Sequence, residues 1–387
     1  MRAKWLLEGN LRDKKANSLP KINPRYMPSQ QTTTTFNIIY LIKGNVHKTD
    51  KPFLDCLNGF VCKRRPLWFM RQAGRYLPEY RALRTQAFNF IDFCLTPSLA
   101  VEATLQPLRR FDLDAAILFA DILLVPLALG MDVRFEEGEG PRLSPMQALE
   151  QLKWSPNRIM ASYEALAQVK DKVNKKQSVI GFCGGPWTVA AYMIEGKGGD
   201  FSKAVFWAKN RQDDLAALIE LLVEASAQHL VAQIKAGADV VQIFESHAGA
   251  IPTELFDRFI LRPTQKIVEL VQRVDRNIPI IGFPRGAIPE NYVRYAKETG
   301  VKAVSVDQFI DPVFAAQNLI PHVCVQGNLD PALLVEGGER MKLATVSILK
   351  TLPSKHIFNL GHGVPKETPP EHVDQLINLV RNWDETI

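Results

Sequence analysis

The chain has no paired-cysteine motif. Its five cysteines, Cys56, Cys62, Cys94, Cys183 and Cys324, are odd in number and scattered, with no CxxC spacing. That excludes a disulfide framework and fits thiols used as small apolar side chains in a reducing compartment. No uninterrupted apolar run approaches the about 18 residues needed to span a bilayer; residues 115–119 and 122–129 are ended or broken by Asp121, Pro126 and Gly130. No GxGxxG follows an apolar run, and there is no Walker A loop, HExxH or GxSxG. Those absences remove the motif grounds for dinucleotide binding, P-loop phosphoryl transfer, zincin-type proteolysis and elbow-serine hydrolysis. Charge of one sign is also missing from most of the chain. The net charge is +6, but residues 1–50 hold nine Lys and Arg against three acids, so the remainder balances at 38 of each sign. A nucleic-acid footprint needs a basic face, and the composition of the body supplies none.

Residues 1–50 read as a basic, mostly disordered leader, with Gln30-Gln31 followed by four threonines and no sustained period. It is either an organellar transit peptide or sequence read from an over-long start. The body, 51–387, alternates short apolar runs with longer amphipathic stretches. The runs are 67–70, 115–120, 179–183, 240–244, 279–283, 303–306, 323–325 and 357–360; the helical patterns include 97–110, 146–173, 201–235, 253–274, 289–299, 331–350 and 370–383. Apolar strands alternating with helices imply a parallel sheet covered on both faces. Eight repeats predict an α/β fold, a single (β/α)8 TIM barrel, with a doubly wound open sheet as the alternative.

In such a barrel the active site lies at the C-terminal ends of the strands. The eight runs end in Arg71; Asp121; Gly184-Gly185-Pro186-Trp187 with Tyr192 one turn later; Glu245-Ser246-His247; Arg285-Gly286; Asp307-Gln308; Gly327-Asn328-Leu329-Asp330; and Gly361-His362-Gly363. Polar groups at every mouth suit a large polar ligand. Arg71, Arg75, Arg81 and Arg84 lie within fourteen residues, with Glu79 as the local counter-charge. Arginine forks bind carboxylates or phosphates bidentately and stay charged, so this is either a polyanion pocket or a solvated basic loop. Asp121, in an apolar frame, is either a satisfied structural group such as a helix N-cap or a functional one. Tyr192 is open to a packing role, and Ser246 to a capping role. His362, between two glycines, reads as a turn offering its side chain. His229 and His247 read as structural.

The segment Met70-Arg71-Gln72-Ala73-Gly74-Arg75-Tyr76-Leu77-Pro78-Glu79-Tyr80-Arg81 resembles the signature of the uroporphyrinogen decarboxylases. Gly181-Phe182-Cys183-Gly184-Gly185-Pro186-Trp187-Thr188, continuing to Gly196, resembles that family's other signature, and the similarity runs from about Pro52 to the C-terminus. Glu245-Ser246, Asn328-Leu329-Asp330-Pro331 and Gly361-His362-Gly363 agree with family segments. Departures are Ala120, Cys183, Ala191, Arg285 in place of a more usual Lys, and the leader.

The resemblance implies cofactor-free decarboxylation of the four acetate arms of uroporphyrinogen III to give coproporphyrinogen III, by a cytoplasmic homodimer without membrane or nucleic-acid partners. The leader leaves organellar import open. The resemblance also implies that Asp121 is catalytic and faces the pyrrole N–H groups, and that Arg71 and Arg75 bind substrate carboxylates, one of them assisting proton delivery. Gln72, Ala73, Gly74, Tyr192, Ser246 and His362 complete the implied substrate site. One alternative is a zinc-dependent corrinoid-to-thiol methyltransferase of the same superfamily. His322 and Cys324 share a strand face, and His362 would be the third ligand that a catalytic zinc requires. A non-enzymatic porphyrin-binding scaffold is a further alternative.

Overall fold

Parallel strands form at seven of the eight apolar runs. The computed structural model describes residues 48–62, 64–136, 138–352 and 355–383; the basic leader lies outside the described residues except for its last three. Among the described residues nine strands occur in chain order: β1 (Ala115–Ile117), β2 (Val133–Glu136), β3 (Gly140–Leu143), β4 (Ser178–Gly184), β5 (Val240–Glu245), β6 (Ile280–Pro284), β7 (Ala303–Ser305), β8 (Cys324–Leu329) and β9 (His356–Leu360). Seven make one parallel sheet in the order β1-β4-β5-β6-β7-β8-β9. Helices such as Pro97–Arg110, Gln212–Lys235, Pro289–Glu298 and Pro370–Arg381 run between them.

The strands are buried on both faces because each face has its own apolar partner. Ile180, Val240, Ile281, Ala303, Cys324 and Ile357 pack inside the curl with Phe53, Trp68 and Met70. Their neighbours Val179, Val241, Ile280, Val304, Val325 and Phe358 pack outward under the helices. Alternation of side chains along a strand produces this division. The 24-residue helix Gln212–Lys235 is apolar and long enough by composition to cross a membrane. Here it lies against the sheet, with Leu215, Leu218, Leu222 and Leu230 buried.

The expected closed eight-stranded barrel is where the sequence reading needs correction. The run 67–70 does not form a strand; it contributes one parallel bridge, Leu67 with Phe358 of β9. Side chains occupy the donors a ladder would use. Pro66 has no N–H. Leu67 N–H donates to the Asp114 carboxylate (2.7 Å), Phe69 N–H to Gln72 Oε1 (3.2 Å) and Met70 N–H to Asn359 Oδ1 (3.3 Å). The regular ladder is therefore a curled sheet of seven strands. Toward β1 the segment is tied through Asp114, whose N–H donates to Leu67 O at 2.9 Å. The Asp114 side chain also receives Arg64 and Arg381 at 3.0 and 2.8 Å, which draws the C-terminal helix onto the same point.

Smaller differences follow from local chemistry. The antiparallel hairpin of β2 and β3 is an insertion after β1 that the alternation of strand and helix patterns did not anticipate. The pattern 201–235 is two helices, Ser202–Asn210 and Gln212–Lys235. The pattern 253–274 resolves into a 3-10 turn, a π turn and the helix Arg262–Gln272.

Candidate active site

At the C-terminal ends of the strands Arg71 comes within electrostatic reach of Asp121, Tyr192 and His362. Arg71 follows the bridge segment and takes φ +59, the left-handed region that non-glycine residues seldom occupy. The turn is held by its neighbours: Gln72 N–H donates to Phe69 O (3.0 Å), Gln72 Nε2 to Ala115 O (3.0 Å), and Val364 N–H to Met70 O (2.9 Å). The stem of Arg71 lies over Gly363. A Cβ at 363 would stand 2.4 Å from Arg71 Cδ and 2.7 Å from Cγ, so the Gly-His-Gly turn is the floor on which this arginine rests.

Asp121 follows β1 and is enclosed except toward the mouth. Its Oδ1 accepts the Leu123 N–H at 2.8 Å. Burial pushes its carboxyl up to about 6, against the opposing pull of the Leu123 N–H and of Arg71. Tyr192, on the helix Pro186–Glu195, is half-buried, with its hydroxyl 3.3 Å from His247 Nε2. Burial raises its phenol, with Asp121 adding to the shift and Arg71 opposing it. His362 sits between two arginines: burial, then Arg71 and Arg285, lower its imidazole to about 3. Arg71 thus acts electrostatically on Asp121, Tyr192 and His362 together. Ser246 is half-buried at the end of β5, its carbonyl 3.5 Å from Arg285 Nη1.

The remaining nominated residues divide. Arg75 is exposed, and Ala73 and Gly74 are half-buried. The Gln72 side chain does not reach the mouth, because it is buried and bonded to Ala115 O and the Phe69 N–H. Its part in the site is to hold the turn that carries Arg71. The proposed His322–Cys324–His362 zinc set does not assemble. Cys324 begins β8, where its sulfur lies 3.6 Å from that of Cys56. His362 follows the far end of β9. A six-residue strand separates those two ends by roughly 17 Å. Among the described residues no group of three His, Cys, Asp or Glu is arranged to hold a metal.

Two contributors escaped the sequence reading. His247, taken as structural, faces the mouth beside Tyr192, and burial and Arg285 lower it to about 4. Glu245 is fully buried behind it. Its carboxylate accepts the Trp187 N–H (3.3 Å), the Thr188 N–H (2.6 Å) and the Thr188 hydroxyl. That hydroxyl in turn accepts the His247 N–H (3.1 Å), and Trp187 Nε1 donates to His247 O (2.9 Å). A negative group at the start of the helix Pro186–Glu195 is favoured by the helix dipole, while burial still lifts Glu245 to about 7. Gly185 leaves room for it, since a Cβ there would lie 2.2 Å from Glu245 Oε2. A buried carboxylate directly before Ser246-His247 was visible in the sequence, but nothing marked its partners. Glu245→Ala strands the Trp187 and Thr188 donors and should cost about 2–4 kcal/mol of unfolding free energy in urea titration.

Residues 48–383 match the family model described as uroporphyrinogen decarboxylase (URO-D). The uroporphyrinogen decarboxylase of Rhodospirillum rubrum is 48% identical over 342 residues, covering 86% of this chain and 98% of that protein. That of Hyphomonas neptunium is 46% identical over 342 residues, with the same coverage. Among solved structures, a methyltransferase from Methanosarcina mazei superposes with a TM-score of 0.70 at 19% identity, covering 86% of this chain and 98% of that one. At that identity the likeness speaks to the fold alone.

Proposed function

The chain belongs to the uroporphyrinogen decarboxylase family, and from that premise we propose that it is a carboxy-lyase converting the acetate arms of uroporphyrinogen III to methyls, with Asp121 as the electrostatic centre of the reaction. The observation that carries the reading is the Asp121 carboxylate, pushed up by burial and acted on by the Arg71 guanidinium. Arg71 and Arg75 make no ion pair among the described residues, which leaves both forks free for an acid-rich ligand.

The chemistry asks for a cation-stabilising group. Protonation of a pyrrole α-carbon makes the ring an electron sink. The bond between the arm's methylene and its carboxylate then breaks, its electron pair neutralises the ring, and CO2 leaves. The resulting exocyclic methylene takes a proton and the α-carbon releases its own, so each arm consumes one proton and yields one methyl and one CO2. Positive charge develops on the ring before the C–C bond breaks. A carboxylate aimed at the pyrrole N–H groups in a poorly solvated site stabilises that charge where it appears. Asp121 is pinned for this by Leu123 N–H. Arg71 and Arg75 hold acid arms, and Tyr192, Ser246 and His362 offer hydrogen-bonding groups around them. His362, lowered to about 3, is neutral at working pH and adds no repulsion to the developing cation. Closure of the curled sheet into a barrel by the Leu67 segment, a homodimeric assembly and a cytoplasmic setting are parts of this reading supported by the family resemblance.

The test is an anaerobic assay in the dark with uroporphyrinogen III and EDTA present, resolving products by carboxylate count. A ladder from eight carboxylates to four is expected; activity that requires added zinc would point instead to methyltransferase-type chemistry. In the same assay kcat/KM should fall as pH drops through about 6, where Asp121 takes up its proton. His247 and His362, lowered to about 4 and about 3, contribute no further step near neutrality.

A further inference from the structure

We propose that Arg285 is an additional carboxylate-binding group for this substrate, closing on an acid arm from the side of the mouth opposite Arg71; the proposal rests on the decarboxylase reading above. Arg285 follows β6, the middle strand of the seven. Arg71 comes from the segment bridged to β9 and tied to β1, with three strands between it and β6 in either direction. The two guanidiniums therefore enter the mouth from opposed walls, and His362 feels both.

Arg285 makes no ion pair among the described residues. It is half-buried, its Nε is buried without a hydrogen-bond partner, and among the described residues its side chain makes one hydrogen bond, a long 3.5 Å contact from Nη1 to Ser246 O. Asp307, the acid after β7, is already engaged by Gly286 N–H (2.7 Å), Tyr292 hydroxyl (3.0 Å) and Phe309 N–H (3.0 Å), and makes no ion pair with Arg285. A half-buried guanidinium without an ion-pair partner is costly unless an anion meets it. A substrate with eight carboxylates supplies one, and the planar fork fits a carboxylate better than a lysine does.

The experiment compares wild type, Arg285→Gln and Arg285→Lys with uroporphyrinogen III as substrate. Arg285→Gln should raise KM about tenfold with kcat within about threefold, and Arg285→Lys should raise KM about threefold because charge survives and the fork does not. In parallel, wild-type enzyme is treated with phenylglyoxal, with and without coproporphyrinogen III, and modification is mapped by mass spectrometry. Arg285 should be protected by the tetrapyrrole while exposed Arg273 is not. The mapping needs no variant, so it decides the matter even where a substitution prevents folding. A KM within twofold of wild type in the Gln variant, or equal modification of Arg285 with and without coproporphyrinogen III, overturns the proposal while leaving the decarboxylase reading intact. Absence of turnover by wild type overturns both.

Discussion

Asp121→Asn should lower kcat by about 10³ and make the protein more, not less, resistant to heat at neutral pH. The two effects share one cause. The Asp121 carboxyl sits at about 6 in the fold, above its ordinary value of 3.8, so the folded state holds this proton more tightly than the unfolded chain does. Ionisation therefore opposes folding: stability contributed by the protonated form is lost as pH rises from about 4 through about 6. Above that window the enzyme carries an enclosed negative charge that the fold alone does not reward. Asparagine keeps the shape and keeps an oxygen to accept the Leu123 N–H now seen at 2.8 Å, but removes the charge. Calorimetry at pH 7.5 should show Tm raised by about 1–3 °C, while the acid limb of the residual kcat/KM profile disappears. A purely structural aspartate would behave in the opposite way, losing stability and keeping turnover. Wild-type activity in a folded Asn variant would remove Asp121 from the reaction altogether.

The sequence displayed the parts of this site unevenly, and the reasons are physical. Seven apolar runs became the seven sheet strands because β-branched and aliphatic residues buried on both faces leave few other options. The run 67–70 alternates as well as the others, with Trp68 and Met70 inside and Leu67 and Phe69 outside. What it lacks is free backbone donors, since Asp114, Gln72 and Asn359 take them. Side-chain capture of a ladder is invisible to periodicity, because nothing in an apolar pattern marks a captor, whether distant like Asp114 and Asn359 or as near as Gln72. The same blindness explains Gln72 and His247. Gln72 sits in the arginine motif but turns inward to bond the backbone. His247 looked like any histidine after a strand until Glu245, Thr188 and Trp187 were seen to fix its backbone. By contrast, Asp121 and His362 could be nominated directly, since a carboxylate in an apolar frame is either a satisfied structural group or a functional one and a histidine between glycines reads as a turn offering its side chain; in the fold Arg71 acts on both. The Arg71 to Arg84 cluster was legible as charge, but its division required coordinates: Arg71 acts on Asp121, Tyr192 and His362, Arg75 is exposed, and Arg84 Nη1 donates to Ala87 O.

Gly363→Ala should reduce kcat/KM by about 10² although residue 363 offers the substrate no side chain. The added Cβ would lie 2.4 Å from Arg71 Cδ, 2.7 Å from Cγ and 3.1 Å from Cβ. These are atoms of the stem near the backbone, so a change at the flexible tip gives no relief. Nor can the backbone readily withdraw. Arg71 already occupies the left-handed region at φ +59, and the bonds from Gln72 N–H to Phe69 O, Gln72 Nε2 to Ala115 O and Val364 N–H to Met70 O hold the turn from both sides. The side chain must therefore leave its present rotamer, carrying the guanidinium away from Asp121, Tyr192 and His362. Displacement of a positioning group by about 1 Å is enough to cost on the order of 100-fold. Because the overlap is relieved by a side chain at the open mouth, the melting temperature should stay within about 3 °C of wild type. A second signature separates this from general damage. Moving the cation away lessens its hold on Asp121, so the acid limb should shift to higher pH in Gly363→Ala and stay put in a variant that merely loosens the turn. Full activity in Gly363→Ala would mean that the rotamer of Arg71 over Gly363 is not the one that binds substrate.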